Sequence, residues 1–123
     1  GLFIDEEDLS CLLQAKGAIT AGLKIALRRS EMVADDIDRF YLAGAFGRYL
    51  DLQAAVDIGL LPDAGAGKIV CLGNSSIEGA SIALLSFDSR RFLEELVAGI
   101  EHLELETEPD FFELYADGCL LER

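Results

Sequence analysis

Histidine occurs once in this chain, at His102, and cysteine three times, at Cys11, Cys71 and Cys119. No Cys-x-x-Cys pair is present. A structural zinc site takes about four Cys or His ligands at regular spacing, so no metal held by these residues is expected. Thiols this scattered fit buried free cysteines in a reducing cytoplasm, and Cys71, inside an apolar run, is expected in the core. Basic residues are also few: 10 Lys and Arg stand against 23 Asp and Glu, for a net charge of −13. That sign repels phosphate backbones and argues against general nucleic-acid binding. No apolar run is long enough to span a bilayer. The first residues, Gly-Leu-Phe-Ile-Asp-Glu-Glu-Asp, are acidic where a secretory signal is basic, so no signal peptide is expected. An initiator Met is absent, and an excised piece of a longer protein is expected.

What is present is apolar material in alternating periods. Hydrophobic residues make up 51% of the 123 residues, enough for one domain, 1–123, with a modest core rather than a disordered chain. From Leu9 to about Arg29 the spacing is helical, with Leu9, Leu12, Leu13, Ile19, Leu23, Ala26 and Leu27 on the inward face and Asp8 as N-cap. Gly17 and Gly22 interrupt that helix at a cost of about 1 kcal/mol each relative to Ala. Close packing on a sheet or close approach of a ligand would compensate. After a polar connection at 30–38, Arg39 to Ala43 reads as a buried strand and Leu52 to Leu60 as a helix ended by Gly59 and Pro62. Lys68 to Leu72 reads as a second strand. A helix follows to about Phe87, capped by Ser75 or Ser76, with Ile77, Ala80, Ala83 and Leu84 inward. Small residues at Gly79, Ala80 and Ser81 suit close approach to another backbone. Asp88 to Ala98 is a further helix. Strict alternation over Glu101 to Thr107 predicts a half-exposed edge strand, a route to a homodimer that its glutamates oppose. Pro109 opens a last short helix, followed by a turn at Asp117-Gly118.

The order α–β–α–β–α–α–β–α predicts an α/β fold with a short, mostly parallel sheet flanked by helices. The first two predicted strands run into glycine turns, Gly44 to Gly47 and Gly73-Asn74. These lie at carboxyl ends of strands, the ligand edge of an open sheet. Glycine lets backbone approach a ligand closely, and Arg48 supplies a planar cation able to stack or to pair with phosphate. Pro62 to Lys68 is not a phosphate loop: the glycine spacing is wrong, Ile69 stands where Ser or Thr is needed, and the loop precedes a strand.

Three segments, Leu12-Leu-Gln-Ala-Lys-Gly-Ala-Ile19, Tyr41-Leu-Ala-Gly-Ala-Phe-Gly-Arg-Tyr-Leu-Asp51 and Leu72-Gly-Asn-Ser-Ser-Ile-Glu-Gly-Ala80, resemble the C-terminal part of the corrinoid-protein reductive activators. So do Glu104-Leu-Glu-Thr107 and Pro109-Asp-Phe111. That family is similar to the acetate and sugar kinase, Hsp70 and actin (ASKHA) superfamily. The resemblance covers nearly the whole chain. It implies a partial ribonuclease H-like, actin-like ATPase lobe. It also implies a parent that uses ATP with Mg²⁺ to drive an electron from an iron–sulfur centre onto an inactive cob(II)amide. Gly44, Ala45, Phe46, Gly47 and Arg48 would form the adenosine loop, Lys16, Gly17 and Thr20 would contact the nucleoside, and Gly73 and Asn74 would complete the rim. Ala45 departs from the family's Gly-Gly pair.

The same resemblance places the phosphate-binding hairpins, the Mg²⁺-binding acids and the iron–sulfur cluster in an N-terminal lobe and domain outside these residues. This stretch alone is therefore expected not to hydrolyse ATP. The implied partners are a corrinoid protein and that N-terminal lobe of the same chain, in the cytoplasm, with no membrane. Two other readings remain: a protein-interaction lobe whose glycine turns only pack, and a lobe of a related kinase or 2-hydroxyacyl dehydratase activator.

Overall fold

The computed structural model describes residues 3–45, 47, 49–63 and 68–121. They divide into two compact units: Gly1–Asp38 with Asp51–Lys68 and Glu104–Arg123, and Arg39–Leu50 with Ile69–Leu103.

The first unit is built on helix α1, Glu6–Arg29. Its N-cap is Asp5, not Asp8. The Asp5 carboxylate accepts from the Asp8 amide at 2.9 Å, and the Asp8 carboxylate accepts from the Asp5 amide at 3.3 Å. This reciprocal box satisfies two amides that the helix leaves free, and it moves the start one turn earlier than the apolar spacing suggests. Acidic residues fill the first turn and Arg28 and Arg29 the last, both favourable to the helix dipole.

The buried stripe of α1 is Lys16, Gly17, Ala21 and Ile25, not the expected leucine face. Leu9, Leu12 and Ile19 are exposed, and Leu13, Leu23, Ala26 and Leu27 are half-buried. The seam passes through the small residues Gly17 and Ala21 because α1 packs on a second helix, α5 (Phe111–Gly118). A Cβ on Gly17 would lie 2.5 Å from Cys119 Sγ and 2.7 Å from the Tyr115 carbonyl; one on Gly118 would lie 2.9 Å from Gly17 Cα. Only two glycines allow this approach. A Cβ on Gly22 would make only an ordinary contact, 3.4 Å from Leu105 Cδ1. Helix α2, Leu52–Asp57, is capped by the Asp51 carboxylate, which accepts from the Ala54 amide. It is shorter than expected and buries Ala55; Leu60, past its end and past Gly59 (φ +72°), is also buried.

The expected strand at 101–107 does not form. The segment is irregular and closes in a 3-10 turn, Leu105–Thr107. The Thr107 hydroxyl donates to the Glu104 carbonyl at 2.7 Å, a local bond that competes with a ladder. Leu103 and Leu105 keep alternating burial, with no strand neighbour among the described residues. Helix α5 begins at Phe111, two residues after Pro109, and Asp117-Gly118 is its last turn rather than a separate one.

The second unit holds the sheet. Strand β1, Phe40–Ala43, pairs in parallel with β2, Ile69–Gly73. The register runs Phe40 to Ile69, Tyr41 to Val70 and Leu42 to Cys71, then shifts so that Ala43 meets Gly73. Helices α3, Ser75–Leu85, and α4, Phe87–Ala98, follow. The cap of α3 is Asn74, whose side-chain oxygen accepts from the Ile77 amide, rather than Ser75 or Ser76. Ser86 caps α4. Cys71 is exposed, not core; among the described residues its strand pairs with β1 alone. Of the residues expected inward on α3, Ile77, Ala80 and Leu84 are exposed and Ala83 is half-buried. Nothing lies within 4 Å of a Cβ built on Gly79, so no backbone approaches closely there.

Candidate nucleotide edge of the sheet

Strand β1 runs into Gly44 at φ +101° and β2 ends on Gly73 at φ +70°. Both lie in the left-handed region that glycine alone enters freely. The two turns touch: the Gly44 amide donates to the Gly73 carbonyl at 2.6 Å. The register shift after Leu42 makes this bond, since the additional residue Leu72 brings Gly73 level with Ala43. A Cβ on Gly44 or Gly73 would meet no atom of the described residues within 4 Å. The space beside both is open, so these glycines answer to conformation, not to crowding.

Gly47 differs. It is buried, and a Cβ there would fall 2.8 Å from Leu42 Cγ. Its carbonyl accepts from the Cys71 thiol at 3.6 Å, which ties the loop back onto β2. Ala45 is exposed. Phe46 and Arg48, both candidates from the sequence, lie outside the described residues.

A pocket of about 520 Å³ opens at this edge, lined by Cys71, Leu72, Gly73, Asn74, Ile77 and Glu78. Its size falls within the ordinary range for small-molecule sites. Glu78 did not stand out in the sequence. It sits in the first turn of α3, four residues past the Asn74 cap, and that spacing was the only signal for it. A carboxylate beside a glycine-turn edge suits ribose hydroxyl groups, as in dinucleotide-binding sheets.

The α1 candidates are gathered in the other unit. Lys16 is only 4% exposed. Its ammonium donates to the Gly118 carbonyl at 2.8 Å and to the Leu120 carbonyl. It thereby satisfies acceptors at the C-terminal end of α5, where a cation is favoured. Thr20 donates to the Lys16 carbonyl at 2.9 Å and approaches the Gly59 carbonyl at 3.5 Å. A smaller pocket of about 220 Å³ lies here, lined among others by Lys16, Thr20, Lys24, Asp57, Gly59 and Asp117. Gly17 is occupied by the contact with α5. The sequence candidates thus form two groups: Gly44, Ala45, Gly47, Gly73 and Asn74 at the sheet edge, and Lys16, Gly17 and Thr20 on the helix pair.

Charge is concentrated at the far end of that pair. Arg28 donates to Glu108 and Asp110, and Arg29 donates to Glu108. The hydrogen bond from Arg28 holds the Asp110 carboxyl below its ordinary range and raises Arg28 in turn. It also explains why Asp110, at the N-cap position of α5, makes no capping bond. Desolvation first, and the Cys119 thiol second, push the Tyr115 phenol up. Among the described residues no cluster of three or more His, Cys, Asp or Glu has metal-holding geometry. No described helix is long and apolar enough to cross a membrane.

Comparison with known proteins agrees across the whole chain. Residues 1–123 match the family model described as the C-terminal domain of RACo, the ASKHA domain. The corrinoid activation enzyme RamQ of Eubacterium limosum is 32% identical over 114 residues, covering 93% of this chain and 19% of its own length. The Co(II) methylated amine-specific corrinoid protein reductase of Methanosarcina barkeri is 31% identical over 117 residues, covering 94% of this chain and 22% of its own. A solved reductive activator for a corrinoid, iron–sulfur protein superposes with a TM-score of 0.88 at 36% identity, over 96% of this chain and 19% of that one. The chain spans about a fifth of the length of these relatives. With one family model spanning every residue and a parallel α/β fold shared with a solved activator, the chain belongs to the family of C-terminal ASKHA domains of corrinoid-protein reductive activators.

Proposed function

We propose that these residues are the C-terminal nucleotide-binding lobe of an ATP-dependent reductive activator of corrinoid, methyl-carrier proteins. The observation that carries the reading is the Gly44–Gly73 contact: two left-handed glycines joined by one hydrogen bond at the carboxyl edge of parallel strands, beside an open pocket. On this reading Gly44 and Gly73 give adenosine close access to the backbone. Glu78 accepts from ribose hydroxyls, Asn74 fixes the first turn of α3, and Arg48 lies against the base or sugar. Lys16 and Gly17 position α5 on α1, and Thr20 borders the smaller pocket.

ATP with Mg²⁺ supplies the driving force for reduction when bound to the full-length chain. The iron–sulfur cluster and the phosphate- and metal-binding groups belong to its N-terminal portion. The partner is a corrinoid protein, as the relatives' names state of their own partners, and the setting is the cytoplasm. The isolated 123 residues do not hydrolyse ATP.

The test is anaerobic reduction of the corrinoid partner by the full-length protein, followed by absorbance. Cob(I)amide is expected only when ATP and Mg²⁺ are added to the reductant. Equal reduction without nucleotide overturns the reading.

A second reading, an interaction lobe without nucleotide, is favoured by the exposed apolar residues of α3. Arg48→Ala in the full-length protein separates the two: lost nucleotide affinity with the fold kept supports the first, and destabilisation without a nucleotide effect supports the second.

A further inference from the structure

Gly47 lies over one pair of residues on the sheet. Leu42 of β1 and Cys71 of β2 are register partners, the last matched pair before the shift that brings Gly73 level with Ala43. Side chains alternate between the two faces along a strand, so partners in a ladder share a face. Both of these reach Gly47. From one side the Leu42 side chain fills the space that a Cβ would take, with Cγ 2.8 Å and Cδ2 3.0 Å from that position. From the other the Cys71 thiol donates to the Gly47 carbonyl at 3.6 Å. The loop that leaves β1 at Gly44 therefore folds back onto the sheet and is held there by both strands.

Cys71 has none of the usual reasons for a cysteine in a strand. It is a free thiol and it is exposed, so it neither fills a core nor forms a disulfide. It also belongs to no cluster of described residues able to hold a metal. Its neighbours are of another kind. One is the loop carbonyl. The other is the open pocket of about 520 Å³, whose wall it forms beside Gly73 and Glu78. One side chain thus borders both the glycine loop and the space that the loop would close.

We propose that the Leu42–Cys71 pair is the seat of the nucleotide loop, with Cys71 its positioning residue: the thiol fixes the Gly47 carbonyl, and bound nucleotide covers the thiol. The inference rests on the reading of this edge as an adenine-nucleotide site. Leu42 sets how closely Gly47 approaches the sheet, and Cys71 sets which way its carbonyl faces. A register shift next to the pair suits this role, since such irregularities end regular pairing and re-aim the chain beside a site.

The experiment uses the full-length protein with Cys71→Ala and, separately, Cys71→Ser. ATP with Mg²⁺ is titrated calorimetrically into each, and each is melted. Cys71→Ala is expected to bind roughly fivefold more weakly, the scale of one neutral hydrogen bond. Its melting transition should change little, because the side chain is exposed. Cys71→Ser keeps a donor and should recover part of the affinity. In the unaltered protein, alkylation of Cys71 by iodoacetamide, followed by mass spectrometry, should slow at saturating ATP. Cys11, exposed on α1, should be alkylated at an unchanged rate. A thiol that serves the fold alone gives neither the recovery by Ser nor the protection by ATP. Equal affinity in the parent and Cys71→Ala, equal losses in the two variants, or alkylation of Cys71 that ATP leaves unchanged overturns this inference and leaves nucleotide binding standing. Absence of saturable binding in the unaltered protein removes the nucleotide reading itself, and this inference with it.

Discussion

The amide of Gly44 and the carbonyl of Gly73, 29 residues apart in the chain, meet at 2.6 Å where two parallel strands end. Both residues are left-handed, and neither has a neighbour that a methyl group would strike. A substitution there tests backbone conformation with little change in packing. Gly73→Ala is expected to cost about 1–2 kcal/mol through the strained φ. If the edge holds adenosine, it should also weaken ATP binding roughly tenfold in the full-length protein, since about 1.4 kcal/mol is one decade. Denaturant melts and calorimetry read the two effects separately. A stability loss with unchanged affinity would assign Gly73 to the turn alone.

Gly17→Ala tests the opposite case, a glycine held by crowding. Its new methyl would meet Cys119 Sγ at 2.5 Å and the Tyr115 carbonyl at 2.7 Å. The better helix propensity of Ala, about 1 kcal/mol, is outweighed by overpacking of about 1–3 kcal/mol added to the loss of close contact. Net destabilisation is expected in urea unfolding. Cys119→Ala added to it should recover part of the loss and not all, because the Tyr115 carbonyl is backbone.

Lys16→Met removes a buried cation that binds two main-chain carbonyls. Hydrogen bonds to a charged group are worth about 1.5–3 kcal/mol, so a loss of about 2 kcal/mol is expected. The change should fall mainly on unfolding. A large drop in ATP affinity with unchanged stability would show the ammonium acting on nucleotide instead.

Asp110 carries a pH dependence of defined sign. Its folded-state carboxyl titrates below the ordinary value because Arg28 donates to it. Its stabilising contribution is therefore present above the unfolded value and lost as pH falls through the folded one. Asp110→Asn should flatten that part of the acid limb of a stability-versus-pH curve. High salt should shrink the difference between the two proteins, since the pair is exposed and screened. An acid limb identical in both proteins would remove the role assigned to this pair.

The strands and their glycine turns were legible because each is a short apolar run stopped by glycine, and the two runs pair as parallel neighbours. The strand expected at 101–107 was misleading for a physical reason. Leu103 and Leu105 alternate in burial as a strand would, but no strand lies beside them and Thr107 bonds locally. The α1 seam was not legible either. Leucines surround that helix, and the buried side is chosen by Gly17 meeting Gly118, a contact between residues 101 positions apart. The resemblance places Lys16 near the nucleoside, and nothing local in the sequence announces the carbonyls of Gly118 and Leu120 that receive its ammonium. Caps were misplaced by one to three residues, as at Asp5 and Asn74, where neighbouring Asp or Ser residues offer the same chemistry.

The central claim is that the Gly44–Gly73 edge belongs to an adenine-nucleotide site. Its most direct test is calorimetric titration of the full-length protein with ATP and Mg²⁺, beside Arg48→Ala. The account predicts saturable binding in the parent and weaker binding in Arg48→Ala with an unchanged melting transition. Absence of binding in the parent, or equal affinity in the two proteins, would contradict it.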